Sequence, residues 1–211
     1  FIFSSKELSF FSIIFMKIKI EKRKIMKLKN IFLHLNKILL HKRWVMHFCF
    51  SCGLYWQGII HDLSKFSPVE FLESVKYYNG TKSPIDVCKQ KNGYSMAWFH
   101  HRGRNKHHYE YWTDNYDNGT IAIKMPYKYA LEMVCDYLAA GVAYSGGINN
   151  FDMKQECNWW KEKRKIAKMH KDTIKLIDVL FTQFLNENPD KVLRDKKYMN
   201  EIKKEYEDGS L

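Results

Sequence analysis

Proline and glycine are scarce in this chain, which has four and ten of them among its 211 residues. Their scarcity excludes a collagen-like, low-complexity or loop-dominated protein. Long apolar runs are missing too: residues 9–16 form a largely apolar stretch of eight, whereas a transmembrane helix needs about 20 residues. Basic residues within 17–24 follow that stretch, which reverses the order found in secretory signals. We therefore expect a cytoplasmic protein without a transmembrane segment.

Cysteine pairs are equally few. The five cysteines are an odd number, and only Cys49 and Cys52 form a CxxC, with no second pair to complete a zinc knuckle. We predict buried free thiols in a reducing compartment. Met16 and Met26 are both reasonable starts of translation, so residues 1–25 are predicted to form an extension outside the fold.

Apolar and aromatic side chains are plentiful, at 45% and 16% of the residues, which supports a packed core and excludes disorder of the whole chain. Over residues 28–52 their spacing of three and four predicts a helix that ends at Gly53. Ser67, followed by Pro68 and Glu70, predicts the N-terminus of another helix.

Helical patterns continue along the rest of the chain. Further helices are predicted in residues 54–64, 126–144, 152–169, 171–187 and 190–207. Residues 113–120 are predicted to be a polar loop. No strand pattern of useful length is present, although residues 120–124 are compatible with a short extended piece. The sequence therefore predicts an all-α fold with a single domain over residues 26–211.

The net charge is +12, from 35 Lys and Arg against 23 Asp and Glu. Such a balance favours anionic partners: nucleotides and other phosphorylated small molecules, nucleic acid, or a membrane surface. The abundance of Lys, Ile, Asn, Phe and Tyr is also typical of AT-rich genomes, which offers general basicity as the alternative explanation.

Histidine is concentrated in one segment, because eight of the nine lie between residues 34 and 108. Neutral imidazole is the commonest metal ligand among side chains. The segment contains three informative doublets, which are His61-Asp62, His100-His101 and His107-His108. This concentration predicts a metal site.

Two further observations bear on that site. Asp136 lies in an apolar helical segment, where a buried carboxylate needs a partner that a metal would supply. His34 and His41 are seven residues apart, about two helical turns, so they share a face and either is a candidate ligand.

A histidine on one helix, a His-Asp doublet ending a second helix and a lone Asp on a later long helix resemble the HD-domain metal-dependent phosphohydrolases. The residues that match are His41, His61, Asp62 with the trailing Lys65, and Asp136. The resemblance implies an HD-domain-like helical bundle with a metal core over 34–140 and accessory helices over 150–207. The interval from His41 to His61 is short for the superfamily, which keeps His34 as an alternative first ligand.

The chain is also similar to uncharacterised bacterial and phage proteins. The segments that carry this similarity are HDLSKFSP at residues 61–68 and NKHHYEYW at 105–112, and it extends over roughly 28–145. It implies kinship but brings no activity with it.

In the HD superfamily the matched side chains hold a divalent ion, and binuclear members hold a second ion on extra histidines. The resemblance therefore implies one or two ions of Mn, Fe, Co, Ni or Zn, the second one on His101, His107 and His108. Such an ion lowers the pKa of bound water and polarises a phosphoryl oxygen. We expect a phosphohydrolase that acts on a nucleotide or another phosphoester.

Roles for the surrounding charged residues follow from that chemistry. Glu70 or Glu110 is predicted to orient or deprotonate the water. Four cations are predicted to hold phosphate oxygens, namely Lys65, Arg102, Arg104 and Lys106. Two other functions stay open: a di-iron oxygenase of the HD type, and a basic nucleic-acid-binding protein with a structural metal. The oligomeric state is also open, with a homodimer among the options.

Overall fold

The computed structural model describes residues 5–117 and 119–211, with the backbone alone for 5–27 and 116. Ten α-helices in this described part confirm the all-α fold class. They are α1 (Ser5–Ser51), α2 (Tyr55–Ile60), α3 (Pro68–Tyr77), α4 (Pro84–Asn92), α5 (Met96–Arg102), α6 (Tyr127–Tyr144), α7 (Met153–Ile166), α8 (Lys171–Asn186), α9 (Pro189–Arg194) and α10 (Lys196–Asp208). Short 3₁₀ turns lie at Leu63–Phe66, Tyr109–Trp112 and Ile148–Asn150. No described helix is both long enough and apolar enough to cross a membrane.

Helix α1 begins earlier than predicted, because its backbone is helical from Ser5. The prediction that residues 1–25 lie outside the fold depends on how their side chains pack. These side chains lie outside the described part of the structure. The C-terminal end of α1 is confirmed: Gly53 adopts a φ of 81°, and the Leu54 N–H donates to the Cys49 carbonyl at 2.8 Å. Such a left-handed residue is the usual way in which a helix ends.

Helix α6 forms the centre of the domain. Eleven of its 18 residues are buried, so it is covered on almost every side, as expected of a core helix. It packs along α1, which contributes Val45 and Phe48, and beside α8, which contributes Leu176 and Leu180. The five cysteines are free, and all except the half-buried Cys52 are buried. The core therefore fixes α1 against α6, and this contact positions the candidate site.

The predicted start of α3 is confirmed, since Ser67 Oγ accepts the Glu70 N–H at 3.4 Å and Pro68 occupies the first turn. The C-terminal region differs from its prediction. Residues 190–207 form two helices instead of one, because Asp195 interrupts them and its carboxylate accepts the N–H groups of Lys197 and Tyr198. An aspartate in this position satisfies the free N–H groups of a new helix start.

The polar loop predicted for residues 113–120 is wrong in part. Strands β1 (Thr113–Tyr116) and β2 (Gly119–Ala122) pair antiparallel as a hairpin, with Thr113 opposite Ala122 and Tyr116 opposite Gly119. Gly119 has a φ of 123°, which a side chain would strain. Strand β1 carries the polar Thr113, Asp114 and Asn115, and β2 carries the adjacent apolar pair Ile121 and Ala122. Neither strand shows the apolar alternation by which strands are recognised in a sequence.

Candidate metal centre

The His61-Asp62 doublet lies in a turn. A helix over 54–64 was predicted, and on a helix neighbouring side chains diverge by about 100°. In the structure α2 ends at Ile60, His61 is extended (φ −48°, ψ 128°) and Asp62 is left-handed (φ 57°, ψ 22°). Aspartate tolerates this backbone conformation better than most residues. Because of the turn, both side chains are buried and reach the same cluster.

Four of the predicted residues form what we call the first ligand group: His41 from α1, His61 and Asp62 from the turn, and Asp136 from α6. His41 Nε2 lies 3.0 Å from Asp136 Oδ1 and 3.6 Å from Asp62 Oδ2. His61 Nε2 lies 3.3 Å from Asp62 Oδ2 and 3.5 Å from Asp136 Oδ1. Atoms that each lie about 2.1 Å from one ion are about 3.0–3.4 Å apart, so these separations suit a shared metal.

The ring nitrogens of this group are also unsatisfied. Nε2 of His41 and Nε2 of His61 are buried and make no well-aligned hydrogen bond, although carboxylate oxygens lie close to both. Buried polar atoms are normally paired, and each orphan needs an explanation. Metal ligands show this feature, because their donor atoms point toward an ion and not toward one another.

A second ligand group contains Asp62, His101, His107 and His108. His101 lies in the last turn of α5, and the other two histidines follow in the loop. Asp62 Oδ1 lies 3.3 Å from His101 Nε2 and 3.4 Å from His107 Nε2, and both Asp62 Oδ1 and His107 Nε2 are buried without a hydrogen-bond partner. Asp62 thus presents Oδ2 to the first group and Oδ1 to the second.

Two buried carboxylates support the histidines from behind. Glu132 Oε1 lies 3.0 Å from His61 Nδ1 and 3.2 Å from His107 Nδ1. Glu70 Oε2 lies 2.7 Å from His101 Nδ1. A carboxylate on Nδ1 keeps the proton on that nitrogen and leaves the Nε2 lone pair free for a metal.

The electrostatics of the cluster favour ionised carboxylates and a neutral imidazole at two of the proposed ligands, His107 and His108. At His61 burial opposes the charge, but Asp62, Asp136 and Glu132 outweigh burial and raise the pKa of the ring. Burial opposes the charge on Asp62, yet His61, Lys65 and His101 hold the pKa of this carboxyl well below its usual range. Burial is also the largest influence on the pKa of His107 and of His108, and it lowers both. Neutral imidazole and ionised carboxylate are the forms that bind metals. The buried His, Asp and Glu side chains could therefore hold a divalent transition-metal ion, and the residues present fit such an ion.

The two candidates for the first histidine ligand are separated by the structure. His41 belongs to the first ligand group and His34 to neither. The His34 ring packs against Phe71 and Tyr78, with centroid separations of 5.5 and 5.6 Å. Burial and the Lys65 charge lower the pKa of His34 to about 4, so its ring is neutral at ordinary pH.

The three residues with predicted catalytic roles lie in different places. Lys65 Nζ is 2.6 Å from Asp62 Oδ2, so this cation does reach the cluster. Both Glu70 oxygens contact outer histidine nitrogens, on His100 and His101, which places Glu70 behind the ligands and not beside a water between them. Glu110 belongs to neither ligand group, and one of its oxygens is buried without a partner.

The other predicted phosphate-binding cations contact aromatic rings. The Arg102 guanidinium lies 4.8 Å from the centre of the Phe99 ring, and Lys106 Nζ lies 5.8 Å from the rings of Tyr111 and Tyr129. Arg104 is exposed. The role predicted for these three cations therefore has no support in their placement.

Glu132 is the site residue that the sequence reasoning missed. It precedes Asp136 by four residues, so on α6 both carboxylates share a face. A second acidic residue at this spacing in an apolar helix was a readable signal, because two buried carboxylates on one face need cations or donors between them.

Fold and site together define an all-α protein with a buried His and carboxylate cluster that could hold metal. The chain belongs to the protein family described as "family of unknown function (DUF5662)", which matches residues 30–183. The match begins on α1 and extends into α8, so it includes every residue of both ligand groups. No curated protein and no solved structure matches the chain.

Proposed function

We propose that this protein is an HD-type metal-dependent phosphohydrolase that acts on a nucleotide or another phosphoester. The observation that carries the proposal is the Asp62 carboxylate, whose two oxygens face two separate sets of imidazoles. A carboxylate shared in this way suits two ions close together. The residues of the two ligand groups would hold such ions, which would supply an activated water and a Lewis acid for a phosphoryl group.

The chain's own residues then have distinct tasks. His41, His61 and Asp136 complete one set of ligands, and Glu132 keeps His61 oriented. Lys65 contacts Asp62 and is still partly exposed, with 27% of its side chain accessible, so its ammonium can also meet an incoming anion. Burial disfavours that charge, but Asp62 and Asp136 outweigh burial and raise the pKa of Lys65. A permanent cation beside the ligands supports an anionic substrate.

The test begins with elemental analysis of protein purified without chelators or an added His tag, followed by assays on a panel of phosphomonoesters and phosphodiesters. His41→Ala should lower metal content and reduce hydrolysis by on the order of 100-fold or more. His47→Ala is the matched control, because His47 lies on the same helix and pairs with Asp190 at 2.8 Å outside both ligand groups. A metal-loaded protein that hydrolyses nothing in the panel, or hydrolysis that survives in the His41 variant, would refute the proposal.

A di-iron oxygenase is the second candidate. The second ligand group favours it, since three imidazoles and a single carboxylate suit iron. Oxygen uptake by the iron-loaded protein, without phosphate release, would select the oxygenase.

A further inference from the structure

Two thiols are in contact at the point where α1 ends. Cys52 directly follows α1 and Cys135 lies on α6, and their sulfur atoms are 3.8 Å apart. The two residues are 83 positions apart in the sequence, so the packing of α1 against α6 brings them together. Both ligand groups consist of His and Asp side chains, so the candidate metal centre does not account for this contact.

One of the two thiols lies at a cavity. Cys52 is half-buried and lines a half-open cavity of about 400 Å³, which is bounded by the end of α1, the start of α6 and α10. Cys135 is completely buried, at 0% exposure. A cysteine is oxidised more readily the more accessible it is, so an oxidant that enters the cavity meets Cys52 before Cys135.

Little holds the Cys52 sulfur in its present position. Its thiol donates to the Cys49 carbonyl at 3.3 Å, and a thiol is a weak donor. The sulfurs of Cys52 and Cys135 must approach each other by about 1.8 Å to reach the length of a disulfide bond, which is about 2.05 Å. One rotation about the Cα–Cβ bond between staggered positions moves a cysteine sulfur farther than this. The pair can therefore form a disulfide after a side-chain movement alone.

We propose that Cys52 and Cys135 are a thiol pair that a peroxide oxidises to an intramolecular disulfide. Cys52 Sγ attacks one peroxide oxygen, the O–O bond breaks, and the leaving hydroxide takes the Cys52 thiol proton and departs as water. This step leaves a sulfenic acid on Cys52. Cys135 Sγ then attacks the Cys52 sulfur, the S–O bond breaks, and a second water departs with the Cys135 thiol proton. The two sulfurs together lose two electrons, and these reduce the peroxide to water.

The position of the bond relates it to the ligand groups. The loop that it closes, residues 52–135, contains His61 and the whole second ligand group, and Cys135 directly precedes Asp136 of the first. The cross-link fastens α1 to α6, the contact that positions the cluster. Formation of the disulfide does not depend on the metal that the cluster binds or on the reaction that it catalyses.

The test is treatment of the full chain, as purified, with hydrogen peroxide. The remaining thiols are then alkylated, and the peptides are mapped by mass spectrometry without reduction. We expect two of the five free thiols to be lost, a cross-linked peptide that joins Cys52 to Cys135, and recovery of all thiols with dithiothreitol. A cross-link between other cysteines or between two chains would overturn the proposal, and so would a full set of thiols after the treatment.

Three variants separate the roles of the thiols, with circular dichroism as the check on folding. Cys52→Ser should lose the cross-link. Cys135→Ala should leave Cys52 as a sulfenic acid, which dimedone traps as a stable adduct. Cys49→Ala is the matched control, because Cys49 also lies near Cys135 but is completely buried, and this variant should still form the cross-link. A cross-link that is lost in folded Cys49→Ala and kept in Cys52→Ser would assign the reaction to the wrong thiol. If Cys135→Ala does not fold, the peptide map of the unmodified chain still decides the proposal.

Discussion

Replacing Glu132 should weaken both ligand groups with a single substitution. Its Oε1 contacts Nδ1 of His61 and Nδ1 of His107, and these histidines belong to different groups. Glu132→Gln can keep an oxygen acceptor for both rings while it removes the negative charge. Glu132→Ala removes the acceptor as well, and both rings then lose the contact that fixes their orientation and tautomer.

The magnitude follows from the number of contacts. Loss of an outer carboxylate costs about 10–100-fold in metal affinity. Because Glu132 serves one histidine in each group, Glu132→Ala should carry that cost at both ions, which is about 1.4–2.8 kcal/mol for each. Glu132→Gln should fall near the lower limit, since only the charge of the acceptor changes. The change occurs at a buried residue, so circular dichroism and a melting curve must first establish that each variant folds.

The assay is a competition titration of the metal-free protein against a chromophoric chelator, which resolves the two affinities separately. Asp178→Asn is the matched control, because Asp178 is a half-buried carboxylate on α8 that pairs with Trp160 and Arg164 and lies outside both ligand groups. Affinities that stay unchanged in Glu132→Ala would refute the argument that this carboxylate orients the ligands. The loss of only one ion would refute the claim that it serves both groups.

Two further predictions concern the loop histidines and Glu156. Replacing His107 and His108 together by Ala should remove one equivalent of metal in elemental analysis and leave the other. An unchanged number of metal ions per chain would mean that these histidines are not ligands and belong to a structural loop or contact substrate. Burial, with a smaller contribution from Asp136, raises the pKa of Glu156 from 4.5 to about 7. The folded state therefore holds this proton more tightly than the unfolded state, and stability falls as pH rises from about 4.5 through 7, by at most about 3 kcal/mol. Urea unfolding should show Glu156→Gln to be more stable than the unmodified chain at pH 8 and nearly equal to it at pH 4; equal midpoints at pH 8 would contradict this reasoning.

Much of the first ligand group could be predicted from the order of its residues together with the resemblance to the HD-domain pattern. His41 and Asp136 lie on helices whose pattern was readable, and α1 and α6 do bring them together, whereas the His61-Asp62 doublet lies in a turn after α2 that the pattern did not predict. The choice between His34 and His41 could not be made in the same way. Both share one face of α1, and only the position at which α1 crosses α6 decides which of them meets Asp136.

The supporting carboxylates were harder to predict, because their partners are distant in the sequence. Glu70 reads as part of a capping box after Ser67, and its backbone N–H does take part in the cap. Its carboxylate nevertheless turns inward to His100 and His101, some thirty residues further on. Local signals therefore predicted the helix start, whereas the contacts of the carboxylate depend on residues that are distant in the sequence.

The left-handed turn at position 62 restricts that position in two independent ways. Glycine accommodates the backbone easily but brings no oxygen to the cluster. Asparagine accepts the conformation, yet it would present an NH₂ group to one of the two sets of imidazoles. Glutamate carries two suitable oxygens but adopts positive φ much less readily than aspartate does. Backbone shape and the need for two equivalent acceptors thus leave aspartate as the residue type that meets both conditions, at the Cα where φ is 57°.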